Sequence, residues 1–166
     1  MLHETMKIVP VGYDIDINGG ANNYGASINM RGFHRATFIC QYEDLGGANH
    51  TVKFYSGAAV STYSSAVPFY YARGTAAVSA VTTATADQDL MTATTAVADT
   101  GLAVAHDTYD NFLFVFVVDA ADMDLANQEE WLSIDFVDAG GATGRAIVIA
   151  ILEPRYPGES TVSALA

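Results

Sequence analysis

Asp14, Asp16, Asn18 and Gly19, in the stretch YDIDINGGANNYG, stand at the spacing that opens an EF-hand calcium loop. Such a loop takes side-chain ligands at positions 1, 3 and 5, glycine at 6 and a bidentate carboxylate at 12, and position 12 here is Gly25. The strongest ligand is therefore missing. The alternation of YDIDIN, with Ile15 and Ile17 on one side, reads instead as a strand ending in a turn at Asn18 and Gly19, residue types that tolerate the positive φ of tight turns. No metal or cofactor is expected.

The other chemistry-bearing residues are scattered. His3, His34, His50 and His106 lie in separate segments, without the paired spacing of a zinc site. Cys40 is the one cysteine, so no intramolecular disulfide and no thiolate cluster can form, and its place in ATFICQY reads as a small buried hydrophobe. Neither a nucleophile elbow nor a phosphate-cradling loop is present: GGATG lacks the Lys and Ser or Thr that would follow. Asp122 with Asp124, or Glu129 with Glu130, would satisfy a glycosidase on paper, but any acidic surface offers such pairs. No catalytic residue is expected and the chain does not read as an enzyme.

Charge narrows the partners. Seven Lys and Arg face 19 Asp and Glu, a net charge of -12, whereas phosphate backbones are gripped by basic surfaces, so direct nucleic-acid binding is not expected. The longest apolar runs, FLFVFVV and AIVIAIL, fall well short of the roughly 18 to 20 residues that span a bilayer, so no membrane partner is expected either. MLHETMKIVPVG carries neither the basic start nor the apolar core of an export signal, and the Asn49-His50-Thr51 sequon is then expected to go unused.

These residues must be held by strands, because period-two patterning dominates both ends of the chain. In RATFICQY, Ala36, Phe38, Cys40 and Tyr42 share a face, and after EDLGGANH the run TVKFYS resumes with Val52 and Phe54, which predicts a hairpin. In WLSIDFVD, Leu132, Ile134 and Phe136 alternate with Ser133 and Asp135, and a glycine-rich loop leads to Ile147, Ile149 and Ile151, a second predicted hairpin. NFLFVFVVD has large side chains on both faces and predicts a central strand covered on both sides. Residues 75–105 carry no aromatic, Lys or Arg; strands and loops suit the Thr and Val there better than a short helix around Asp87 to Ala93 or an extended arm. DAADMDLANQEE predicts one helical turn capped by Asp119 or Asp122. The fold class is all-β, a β-sandwich or jelly-roll-like single domain over residues 13–152. Pro10, Pro154 and Pro157 predict extended terminal arms at 1–12 and 153–166, since proline removes a ladder donor.

One segment is aromatic beyond what a single core face needs. YSGAAVSTYSSAVPFYYARG brings together Tyr55, Tyr63, Phe69, Tyr70, Tyr71 and Arg73, and neighbouring aromatics on a strand point to opposite faces. Tyr and Arg are enriched at protein interfaces. The candidate interface is Tyr63, Phe69, Tyr70, Tyr71 and Arg73, joined by Pro154, Arg155 and Tyr156 from the C-terminal arm.

The succession VKFYSG, VPFYYARG, FLFVFVVDAADM and EEWLSIDFVDAGGATGRAIVIAILEPRYPG, covering most of Thr51 to Gly158, resembles head decoration, or cement, proteins of tailed bacteriophages. The resemblance implies a sandwich on the outer capsid surface that clamps neighbouring subunits of the major capsid protein as a homo-oligomer, often a trimer, and is made in the bacterial cytoplasm. A tail or fibre protein, and a small β-sandwich binding module or enzyme, are the competing classes.

Overall fold

The computed structural model describes residues 5–18, 22–78, 89–138, 140–156 and 163–165. Twelve strands run through them: β1 (Lys7–Asp16), β2 (Asn22–Tyr24), β3 (Ile28–Asn29), β4 (Phe33–Tyr42), β5 (His50–Gly57), β6 (Ser65–Val67), β7 (Phe69–Arg73), β8 (Thr95–Val97), β9 (Leu102–Val104), β10 (Leu113–Asp119), β11 (Trp131–Asp138) and β12 (Arg145–Pro154). They form two antiparallel sheets. Sheet A has the order β1-β12-β4-β10-β7-β8; sheet B has the order β2-β11-β5-β6, with β3 also pairing β11 and β9 pairing β5. The sheets pack face to face as a single sandwich-like domain, the all-β fold that the alternation predicts.

Aromatic rings fill the space between them. Phe38 of sheet A lies 4.9 Å from Phe54 of sheet B, and Phe54 meets Phe69 at 4.9 Å and Phe116 at 5.9 Å between ring centres. Toward the other end Tyr42 packs edge-on against Phe114 and Phe136. Burial alternates along β10, along β4 from Ala36 and along β5 up to Ser56, as a one-sided strand requires.

Both predicted hairpins are arches that cross between the sheets. β4 belongs to sheet A and β5 to sheet B, while β11 belongs to sheet B and β12 to sheet A. Each strand has an apolar face to bury, and the loops over residues 43–49 and 140–144 carry the chain from one sheet to the other. The two arches brace each other through an antiparallel bridge between Gly46 and Thr143. Gly47, at φ +73°, packs so closely that a β-carbon there would lie 1.9 Å from the Gly141 carbonyl oxygen. Asp138 holds the second arch by accepting the N–H groups of Gly140 and Ala142 at 2.7 and 2.9 Å.

The terminal arms also differ from expectation. Residues 7–12 belong to β1, an edge strand of sheet A paired with β12; Pro10 is tolerated because an edge strand leaves donors unused, and the register shifts beside it. Glu153 and Pro154 complete β12, and Ala164 returns to the body of the domain, buried at 2% and accepting the Asn29 N–H at 2.8 Å. β10 is central in sheet A, but only Phe114, Phe116 and Val118 are buried; its other face is half-open. In the 75–105 stretch β8 and β9 are short strands, and Asp89 to Ala93 forms a turn and a bridge, not a helix; residues 79–88 lie outside the described residues. The acidic turn is two 3-10 turns, Ala120–Asp122 and Leu125–Asn127, and the side chain that caps is Asp124, which accepts the Asn127 N–H. No helix among the described residues is long and apolar enough to cross a membrane.

Candidate functional site

The calcium-like stretch is occupied by its own contacts. Asp14 has φ +61° and pairs with the Arg145 guanidinium, and Asp16 accepts the Asn18 N–H at 2.9 Å. Ile17 is fully buried and Ile15 packs on the core. Gly19 lies outside the described residues. Among the described residues no three His, Cys, Asp or Glu side chains come together as a metal site.

The aromatic segment is divided among three environments. Phe69 is a core residue, 2% exposed, held by Phe54 and Phe116, and so has no surface to offer a partner. Tyr71 stacks on Phe114, and the Arg73 guanidinium lies 4.8 Å from the Tyr109 ring centre and 5.9 Å from that of Phe112, a cation–π contact that ties it to its own domain. Tyr63 stacks face to face on Tyr24 at 3.5 Å, outside sheet B. Tyr70 alone points out from sheet A, 43% exposed. From the C-terminal set, Pro154 is half-buried at the end of β12, Arg155 donates through its backbone N–H to Gly32 and through Nε to Phe33, and Tyr156 is 69% exposed. Arg155 and Arg31 flank a shallow depression of about 160 Å³ with Met30, Leu125, Gln128 and Glu130.

Tyr70 belongs to a larger surface, the outer face of sheet A. Strand register aligns Ile8, Ile151, Thr37, Val117 and Tyr70 in one row across five strands. The next row is Pro10, Ile149, Ile39, Val115 and Ala72, and a shorter third is Ile147, Gln41 and Leu113. All of these are exposed or half-buried, with Ile8 at 46% and Ile149 at 40%. β12 turns its three isoleucines outward and buries Ala146, Val148, Ala150 and Leu152. Charge is confined to the two ends: Arg35 pairs with Asp119 at 2.8 Å and His34 with Glu153 at 3.0 Å at one end, and Arg145 pairs with Asp14 at the other, where Asp16 and Glu43 add further negative charge. A contiguous apolar face of this kind is a candidate docking surface.

Buried polar groups lie elsewhere. On sheet B, Asp135 is fully buried beneath the tyrosine cluster; Oδ1 accepts the Asn23 N–H at 3.0 Å and Oδ2 has no hydrogen-bond partner. Desolvation lifts its carboxyl to about 6, against the pull of the Asn23 N–H and Lys53. In turn burial, and then the Asp135 charge, raise the Tyr24 hydroxyl. In the core, His50 Nε2 lies 3.0 Å from the Tyr42 hydroxyl, and desolvation lowers His50 to about 4, partly opposed by Asp138. Burial also raises the Cys40 thiol and the Tyr42 hydroxyl, so neither is primed to ionise.

The fold and this surface define a two-sheet antiparallel sandwich with one outer face whose central rows carry no charge. No protein-family model matches the sequence, and no curated protein matches it.

Proposed function

We propose that the chain is a structural component of a tailed-bacteriophage virion, a decoration protein that stabilises the outer capsid surface by bridging neighbouring subunits of the major capsid protein, and that it works as a homo-oligomer without catalysis. The observation that carries this reading is the apolar outer face of sheet A, which gives the domain a reason to assemble. The sequence resemblance supplies the capsid as the place of assembly. An acidic protein of net charge -12 on the outside of a particle does not compete with the capsid interior for packaged nucleic acid. Incubating the purified chain with capsids that lack it tests the reading: saturable co-sedimentation and a higher disruption temperature are expected. Binding to tails alone would favour a tail component, and no binding to any particle would remove the virion reading.

A further inference from the structure

The outer face of sheet A raises the question of what covers it, and charge selects among the candidates. Every copy of the chain carries -12, so most of its surface repels a second copy. The central rows of sheet A, from Ile8 to Tyr70 and from Pro10 to Ala72, hold no ionisable group except the Tyr70 hydroxyl. Arg35, His34 and Arg145 at the ends are each paired with a carboxylate, and the further carboxylates Asp16 and Glu43 stand at the rim, outside the central rows. The central rows are a surface on which two copies can meet without desolvating unpaired charge.

We propose that a second copy of this chain covers the outer face of sheet A, giving a two-fold dimer in which the two A sheets stack face to face. The symmetry follows from the shape: a single flat face that meets itself makes an isologous contact, which closes as a pair and not as the three-fold ring that the resemblance implies. Sheets packed this way lie about 10 Å apart with interdigitating side chains. Ile8, Ile39, Ile149, Ile151, Val115 and Val117 suit such packing, because β-branched side chains on strands are already restricted and lose little freedom on docking.

Area sets the expected strength. Two rows across five strands and a third across three, at about 4.8 Å between strands and about 6.8 Å between rows with side-chain radii added, give roughly 350 Å² of flat projection per copy. Two copies then bury roughly 700 Å² before side-chain relief is counted, below the roughly 1,000 Å² floor for a stable specific interface and in the range of a weak, transient one. The dimer is therefore a reversible, concentration-dependent one. By symmetry it leaves the two B sheets, with their Tyr24–Tyr63 stacks, facing away from each other, so that one dimer carries two identical outer surfaces. Such a pair bridges two capsid subunits if the decoration reading holds, and the dimer itself is tested without any particle.

Sedimentation velocity of the purified full chain over a micromolar concentration series tests the proposal. The mass should rise from 17.6 kDa toward twice that value. Val115→Lys and, separately, the more exposed Ile149→Lys should each weaken the dimer about tenfold or more, because a lysine there must be desolvated without a partner. Circular dichroism and melting check that each variant folds, and Tyr63→Ala on sheet B should leave the dimer intact. A chain that stays at 17.6 kDa throughout, a mass of three copies, or a dimer indifferent to both lysines would overturn the proposal. If a monomeric chain still bound capsids, the dimer would fall and the decoration reading would stand; a dimer that bound none would do the reverse.

Discussion

Asp135→Asn should make the protein more stable at neutral and alkaline pH. The substitution keeps an acceptor for the Asn23 N–H and removes a fully buried charge whose Oδ2 has no partner. The wild-type carboxyl titrates near 6 in the fold and near its ordinary 3.8 when unfolded, a gap worth about 3 kcal/mol at 1.36 kcal/mol per pH unit. The sign is set by the direction of the shift: a raised pKa gives stability that is complete below 3.8 and lost as pH rises through about 6. Above pH 7 the wild type therefore carries the full penalty. The buried amide N–H₂ that replaces Oδ2 has its own desolvation cost, which leaves a net gain of about 1–2 kcal/mol. For a chain of this size that is roughly 2–8 °C in Tm. Denaturant melts of both proteins at pH 8, 7, 5 and 4 measure the difference, which should shrink as pH falls. A variant no more stable than wild type at pH 8, or a difference independent of pH, would refute the argument that Asp135 is a desolvated charge.

Acid should act on His50 in the opposite sense: a pKa lowered from 6.5 to about 4 gives stability that is present above 6.5 and lost as pH falls, so the Asp135→Asn variant should lose up to about 3 kcal/mol between pH 7 and 4 while the wild type changes less. Equal pH slopes for the two proteins would count against it. Phe114→Ala should cost about 3–5 kcal/mol in denaturant melts, because the ring is buried among Tyr42, Tyr71, Tyr109 and Phe116; an unchanged midpoint would contradict the packing described. Calorimetric titration with calcium should show no tight site, since Asp14 is paired with Arg145; micromolar binding abolished by Asp14→Ala would reverse that conclusion.

Period-two alternation made the fold class legible, because an inner face such as Ala36, Phe38, Cys40 and Tyr42 has the same signature in any sandwich. Which strands pair was not legible. A glycine-rich loop between two apolar strands fits a hairpin and an arch equally well, and the arch is distinguished only by contacts such as Phe38 with Phe54 and Gly46 with Thr143, distant or backbone-only in origin. Proline at position 10 suggested an arm because its missing donor matters only if the strand is flanked on both sides, and β1 is an edge. The aromatic run was visible, but its division among core, sheet A and sheet B depends on register and on Tyr24, thirty-nine positions before Tyr63. β12 offered a usable signal: AIVIAIL alternates small with large, and the placing of Ala146 and Ala150 inside forces the isoleucines out. Nothing local marks Asp135 as buried, since its neighbour Tyr24 comes from β2, more than a hundred positions earlier, and is itself packed by Tyr55 and Tyr63.

The proposed virion role is the central claim, and the copy number of this chain in purified tailed-phage particles, measured by quantitative mass spectrometry against the major capsid protein, tests it most directly. The account predicts a copy number of the same order as the capsid subunits, falling when particles are washed under conditions that strip surface proteins while leaving the shell intact. A handful of copies per particle, retained with the tails after the heads are removed, or none at all, would contradict it.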